Sequence, residues 1–444
     1  MQDHTMTEGN ADIAALDSFD LAVRQDALAR LHAAAAGSYP EAEPHLNGHA
    51  HTFYSYNAYG YSPLHFAWLA KQRGLAVAGI VDFDVLDGLD EFMAASQLLA
   101  LKSCVSLESR VFVPEFSERV INSPGEPGIA YHMGIGFTST DLPAEAASFL
   151  ADMRASADQR NRGLLERVNA FMAPVVLDYE EDVQKPLTPN GNATERHICL
   201  AYARKAAEMF SDPAALGQFW AEKLGTDASE LDLPMGGDLQ ALIRSKTMKR
   251  GGVGYVQPGP ASFPEMSAMN RFSLQCGAIP ALTWLDGTSE GEQALEELID
   301  ISLASGVAAI NIIPDRNFTA GVKDQKLENL YDIVERAEAL QLPVLVGTEM
   351  NSPGNKFVDD FESAELKPLM PVFTKGAQIV YAHSVLQGHA GMGYLSDWAE
   401  ASFDDVVAKN TFFESFGARF SPGNEAALVD VTAASTPEAI LGKL

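Results

Sequence analysis

Two stretches in which strand-like and helix-like segments alternate constrain the fold of this chain more than any other feature. From residue 45 to 137, short apolar runs such as AVAGIV alternate with segments of helical spacing, and the alternation resumes from 251 to 360. Such a pattern is typical of a mostly parallel sheet. With about seven or eight strands it predicts an α/β barrel. A doubly wound sheet is the alternative, but no GxGxxG follows the first strand.

The remaining segments complete the predicted organisation. Residues 1–44 form an N-terminal helical segment, and 138–250 form a helical insertion that splits the barrel into 45–137 and 251–360. Residues 361–444 are a C-terminal extension packed on the barrel, and the apolar run at 377–385 predicts one more strand within it.

Charge and cysteine content narrow the classes of function. The chain has 31 Lys+Arg and 60 Asp+Glu, a net charge of −29, which excludes a surface that coats nucleic acid or an anionic membrane. The cysteines show no CxxC pair, the first residues lack a signal-peptide pattern, and no apolar run has the length of a membrane span. We therefore expect a cytoplasmic protein that acts on a small molecule, with oligomerisation left open.

The pair His49-Ala-His51 is the sharpest chemical feature. Alternate residues on a strand share a face, and at the end of a barrel strand that face opens into the mouth. Further acidic and histidine residues end or lie within later apolar runs: Asp82, Glu108, His132 and Glu349. Each alone has another explanation, because a strand-end Asp often caps a helix. Together they predict one site for a divalent Mn, Zn or Fe ion.

The order of these motifs resembles the polymerase-and-histidinol-phosphatase (PHP) family of metal-dependent phosphoesterases. HLNGHAHTFYSYNAYGYSP resembles its first motif, GLAVAGIVDFDVLDG its second and YHMGIGF its fourth, and the resemblance spans about residues 45 to 351. It implies a distorted TIM-like (β/α)7 barrel with a helical insertion. It also implies hydrolysis of a phosphate ester by water that a metal activates at the barrel mouth.

The resemblance further implies which residues hold the metal. One ion would take His49, His51, Glu108 and Glu349, and a second would take Glu108 and His132. Several family positions are substituted here: Asn57, Phe83, Trp284, Asn311 and Asn351. Phe83 cannot be a ligand, so a third ion is not expected, and one or two ions remain. Asp82 and His132 are the candidates for general acid or base, and Asp82 could instead orient a ligand histidine.

Basic and polar residues near strand ends and in the insertion are candidates for substrate binding. Guanidinium groups bind phosphate in a bidentate manner. The predicted substrate-binding residues are Arg196, His197, Arg250, Arg316, Asn351 and His383. For His383, the reason is that the strand predicted at 377–385 would bring it near the barrel mouth.

Two other functions stay open at this level. The substituted ligand positions Phe83, Trp284 and Asn351 fit a barrel that has lost catalysis and acts as a binding or regulatory protein. A metal hydrolase of the amidohydrolase type also begins with HxH on its first strand, although no suitably placed Lys follows the middle strand here.

Overall fold

Seven strands form one sheet whose neighbours follow chain order. The structure is a computed structural model, and it describes residues 10–444. The strands are β1 Glu43–Ala50, β2 Leu75–Phe83, β3 Ser103–Phe112, β4 Ile129–Ile135, β5 Ile279–Trp284, β6 Ala309–Ile312 and β7 Val344–Val346.

The sheet curls into a barrel that closes between its first and last strands. Beyond the end of β7, the His51 amide donates to the Glu349 carbonyl oxygen at 2.8 Å. All pairs are parallel except those that β4 makes with β3 and β5, which are antiparallel. No crossover helix separates β3 from β4, so the chain returns directly and reverses direction. The predicted seven-stranded barrel is therefore confirmed, with one reversed strand.

Most of the remaining secondary structure is helical. The helices are α1 Leu21–Ala34, α2 Pro63–Gln72, α3 Leu89–Leu98, α4 Ala144–Met172, α5 Glu195–Met209, α6 Pro213–Leu224, α7 Gly237–Thr247, α8 Met266–Gln275, α9 Glu290–Gln293, α10 Leu295–Ala304, α11 Lys323–Ala339, α12 Met370–Ala390, α13 Asp397–Ser402, α14 Val406–Arg419 and α15 Pro437–Leu441. Between α4 and α5, a π-helical turn at Tyr179–Gln184 continues into Lys185–Leu187. Within residues 10–444, no helix is both long and apolar enough to cross a membrane.

The predicted helical insertion, 138–250, contains α4 to α7, and α8 follows it before β5. Its inner helices enclose a core of their own around Trp220, Tyr202 and Ile243. Before β1, the predicted N-terminal helical segment contains a helical stretch at residues 10–15 and the helix α1. Residues 1–9, on which part of the signal-peptide prediction depends, lie outside the described residues.

The strand predicted at 377–385 is wrong, because these residues lie inside α12. The helix is buried on most of its circumference, and a short apolar run of that kind has no periodicity that separates strand from helix. α12 lies across the end of the barrel at which the parallel strands begin, where Ile379 and Leu386 share a core with Cys104 and Ile279. A Cβ at Gly376 would overlap the Val344 carbonyl oxygen, so only glycine allows this close approach.

Candidate metal centre and cavity

Three buried ligand-type side chains meet at the open end of the barrel. His49 and His51 come from the end of β1, and Glu108 comes from β3. The Glu108 Oε2 atom lies 3.7 Å from Nε2 of His49 and 3.1 Å from Nε2 of His51. The β1–β2 register shifts between Asn47 and Ala50, at the HxH motif itself. The three ligand atoms lie within 4.8 Å of one another, so this group could bind a metal ion.

A hydrogen-bond chain fixes the tautomer of His51. The Ser55 hydroxyl donates to Asp82 Oδ1 at 2.5 Å, and the same hydroxyl oxygen lies 2.9 Å from His51 Nδ1. Because the Ser55 proton is directed to Asp82, the hydroxyl accepts from His51 Nδ1–H. Asp82 is itself held by the amide and hydroxyl of Thr52. The lone pair of His51 therefore lies on Nε2, which faces Glu108.

The second imidazole is fixed in the same sense by a different group. Asn311 uses its amide nitrogen to donate to the Leu345 carbonyl oxygen at 3.2 Å. Its Oδ1 atom, 3.0 Å from His49 Nδ1, then accepts from that ring nitrogen. His49 also presents the lone pair of Nε2 to Glu108. Asn311 is one of the positions that departs from the PHP pattern, and here it orients a histidine.

The arrangement leaves three acceptor atoms facing one another without a donor. Neither Nε2 atom has a hydrogen-bond partner, although both are buried. At 3.1 Å from Glu108, His51 Nε2 lacks the alignment of a hydrogen bond. Burial raises the pKa of Glu108 to about 7 and lowers the pKa of His51 to about 4. Facing acceptors repel unless a cation lies between them, so the donor set fits a divalent transition ion.

Glu349 lies beside this group but is held by an arginine. Both of its carboxylate oxygens accept from Nη2 of Arg316 at 2.9 Å. Burial acts to raise the pKa of Glu349, but Arg316 offsets it and the net pKa lies below its usual range. Glu349 and Met350 both have φ near +60°, at 61° and 54°, a strained conformation that is typical of functional sites. The pair thus places a guanidinium at the rim of the metal group.

The two residues predicted as acid or base lie outside the cavity. Asp82 is enclosed by Thr52 and Ser55, and burial raises its pKa to about 6. His132 pairs with Ser109 across β3 and β4, so it takes the face opposite to Glu108. Its Nε2 atom lies 2.5 Å from Asn270 Oδ1 of α8. His132 therefore points away from His49 and His51 and does not join the group.

Three of the predicted substrate-binding residues lie elsewhere. His197 accepts from the Thr194 amide in a capping box that begins α5. Arg250 is exposed, with only a 3.4 Å contact to the Gly125 carbonyl oxygen. His383 lies at the opposite end of the barrel, on α12, because the segment is a helix rather than a strand that leads to the mouth.

The other three line a cavity of about 420 Å³ above Glu108: Arg196, Arg316 and Asn351. Seven cationic side chains line it in all: Arg110, Arg160, Arg167, Arg196, Arg244, Lys249 and Arg316. Five carboxyl groups face them: Asp84, Glu108, Glu126, Glu195 and Glu349. Among residues 10–444, no carboxylate lies within 4 Å of Arg196, and burial lowers its pKa. The cavity is thus a basic site in an acidic protein.

Sequence reasoning missed Ser55 and Arg110. Arg110 follows Glu108 by two residues on β3, and strand alternation alone places both on one face. That signal was available once Glu108 was chosen. Ser55 lies in a turn after β1, and its contact with both His51 and Asp82 depends on the path of the loop, which no residue pattern specifies.

Comparisons with known proteins give structural likeness only. No family model and no curated protein matches this chain. It is similar to an amidohydrolase from Chromobacterium violaceum with bound sulfate and no metal, at 17% identity and TM-score 0.49, over 70% of this chain and 88% of the other. It is also similar to a proposed metal-dependent phosphoesterase from Bifidobacterium adolescentis, at 16% identity and TM-score 0.48, over 75% and 97%. Likeness at this level leaves the activity to be argued from the residues of this chain.

Proposed function

We propose that this protein is a metal-dependent hydrolase that acts on a phosphate ester. The observation that supports this most is the convergence of His49, His51 and Glu108 at the floor of a cavity lined by arginines. Three acceptor atoms that face one another can bind a cation, and the guanidinium groups beside them can bind an anion. A phosphate ester next to a divalent ion satisfies both, as the resemblance to the PHP family also implies.

One divalent ion of Mn, Zn or Fe is held by His49, His51 and Glu108 in this proposal. When bound, such an ion supplies Lewis-acid polarisation of a phosphoryl oxygen and lowers the pKa of water. A second ion is not expected, because His132 faces α8 and Glu349 is engaged by Arg316. The Phe83 ring stacks on His51 at 4.6 Å and occupies the adjacent space.

The protein residues around the trio bind and orient in this proposal. Arg196 and Arg316 hold the phosphate oxygens, and Glu349 keeps Arg316 in place. Asp82 acts as a positioning residue through Ser55, because it has no access to the cavity and fixes the His51 tautomer. Asn351, which also lines the cavity, offers an amide to the substrate.

The test combines metal analysis with turnover. Purified full-length protein is analysed for bound transition metals and assayed on phosphate monoesters, phosphodiesters and an amide, with and without a chelator. We expect one ion per chain and chelator-sensitive phosphate release, and we expect Arg196→Gln to lower kcat/KM about 100-fold. The matched control is Arg204→Gln, an exposed arginine on the same helix.

Two results would overturn the proposal. Turnover of the amide but not of any phosphate ester would favour the amidohydrolase alternative. Protein that binds metal but hydrolyses none of these compounds would favour the binding or regulatory alternative instead.

A further inference from the structure

The outer part of the cavity contains a second cationic group that the metal centre does not use. Arg110 and Arg160 both lie over the ring of Phe263, with guanidinium carbons 4.2 and 4.5 Å from its centroid. All three residues line the cavity. Stacking on an aromatic ring fixes a guanidinium plane while its N–H groups stay free at the edge. The Phe263 ring therefore holds two guanidinium groups in one place.

No acid forms an ion pair with Arg160 in the part of the chain that the structure describes, and the carboxyl groups of Asp84 and Glu126 act on its charge only from beyond 4 Å. Its Nη1 atom donates to Ser156 Oγ at 2.7 Å and to the Ser262 carbonyl oxygen at 2.9 Å. Burial lowers the pKa of this guanidinium, because the charged form is less well solvated in the cavity wall than in water. A bound anion would compensate for that loss of solvation.

Arg110 is only partly neutralised. Its Nη1 atom donates to Glu126 Oε2 at 3.0 Å, and the same oxygen accepts from the Ser123 hydroxyl. Its other nitrogens have no carboxylate partner among residues 10–444. Of the two guanidinium groups, only that of Arg110 thus has a carboxylate within hydrogen-bond distance in the described part of the chain.

This second group is set apart from the metal centre along β3. Glu108 and Arg110 are two residues apart on that strand, which corresponds to roughly 7 Å. Arg110 lies on the open side of Glu108, toward the end of the strand. The cavity therefore has cationic groups at two depths, with the metal group and Arg316 at the floor and Arg110 with Arg160 farther out.

We propose that Arg110, Arg160 and Phe263 form a subsite for a second anionic group of the substrate, a carboxylate or a phosphate, distal to the scissile phosphate. The inference rests on the proposed function, since it assumes that the scissile phosphate lies at the metal centre. It predicts that substrates with two anionic groups are favoured over simple monoesters.

The test uses three probes of one chain length: propyl phosphate, 3-(phosphonooxy)propanoate and propane-1,3-diyl bisphosphate. Their affinities for chelator-treated full-length protein are measured by calorimetry. We expect the two doubly anionic probes to bind at least about tenfold more tightly than propyl phosphate. We expect Arg160→Gln to reduce this ratio to near one, and the tighter of the two probes identifies the distal group.

Two further variants secure the interpretation. Arg162→Gln removes an exposed arginine of the same helix that pairs with Asp158, and it should leave the ratio unchanged. Phe263→Leu removes the stacking surface and should lower the ratio even if Arg160→Gln does not fold. Equal affinities for the three probes, or a ratio that survives both Arg160→Gln and Phe263→Leu, would overturn the subsite.

The titrations need neither metal nor turnover, so the two proposals can fail separately. A preserved ratio in a protein without hydrolytic activity would refute the proposed function and keep the subsite. Hydrolysis of phosphate esters without a preference for a second anion would refute the subsite and keep the function.

Discussion

The two ends of the barrel each bury histidine, and they use it in opposite ways. At the closed end, where α12 covers the barrel, both ring nitrogens of His383 have hydrogen-bond partners. Nε2 lies 3.1 Å from the Gly136 carbonyl oxygen, and Nδ1 accepts from the Tyr394 amide at 2.9 Å. At the open end, His49 and His51 each have one nitrogen bonded and leave Nε2 without a partner. Complete pairing is typical of a structural histidine, whereas two unpartnered ring nitrogens that face one carboxylate fit a metal site.

The surroundings explain the difference. At the closed end, the positive φ of Gly136 lets the α12 helix approach, and a Cβ there would overlap the His383 ring. The ring fills that space and links two segments. At the open end, Asn311 and Ser55 orient the imidazoles from behind, so that both lone pairs point to Glu108. The same side chain is a packing unit at one end and is oriented at the other as a metal ligand would be.

The strongest way to break this comparison is to remove one open-end histidine. His49→Ala should lower the affinity for a divalent ion by about 1000-fold, roughly 4 kcal/mol, because a three-ligand site loses a ligand and its geometry. Titration of chelator-treated protein with Mn²⁺ or Zn²⁺ measures this effect. His45→Ala, a partly exposed histidine on the same strand, serves as the control. A His49→Ala variant that still binds one ion at unchanged affinity would contradict the assignment.

Removing the closed-end histidine should lower the stability of the protein and leave its affinity for metal unchanged. His383→Ala removes a buried ring and leaves the Gly136 carbonyl and the Tyr394 amide unpaired, which costs about 4 kcal/mol of unfolding free energy. Urea unfolding measures the change. Metal affinity of the folded variant should equal that of the wild type. A loss of metal binding in folded His383→Ala protein would show that the two ends are not independent.

The sequence predicted the barrel well because its strands have clear signals. The run AVAGIV between a glycine stop and a polar end corresponds to β2, and the HxH pair ends β1. The apolar run that contains Glu108 likewise corresponds to β3. The helix α12 was misread because burial on most of its faces removed the periodicity on which the distinction depends.

The site was less predictable wherever a second strand decides which way a side chain points. His132 lies in an apolar run as Glu108 does, but its register partner is Ser109, which puts it on the face opposite to Glu108. Arg196 and Arg250 are both predicted as guanidinium groups of the insertion, and only the path of the insertion decides that Arg196 lines the cavity and Arg250 does not. Pairing direction and loop path depend on contacts far apart in sequence, which local patterns do not encode.

Lowering the pH should reduce the contribution of His383 to the stability of the folded protein. Burial lowers the pKa of His383 from 6.5 to about 4. Protonation of Nδ1 would also break the hydrogen bond that this nitrogen accepts from the Tyr394 amide. Between these two pH values the unfolded chain binds a proton at His383 and the native state does not. The contribution of His383 to the free energy of unfolding is therefore full above pH 6.5 and declines as the pH falls toward 4. The total loss is about 3 kcal/mol. His383→Gln should therefore show a smaller loss of stability than wild type over this range, and parallel curves would contradict the assignment.

The smallest expected effect tests whether Ser55 orients the ligand or only packs beside it. Ser55→Ala removes the acceptor of His51 Nδ1–H and the donor to Asp82, so the ring is free to change tautomer and to rotate. Loss of such an orienting contact lowers metal affinity by about tenfold, or about 1.4 kcal/mol. Thr52→Val is the matched control, because it removes a contact with Asp82 and none with His51. An equal loss of affinity in both variants would mean that Asp82 acts through general packing, whereas a loss confined to Ser55→Ala would show that the open end depends on an oriented lone pair.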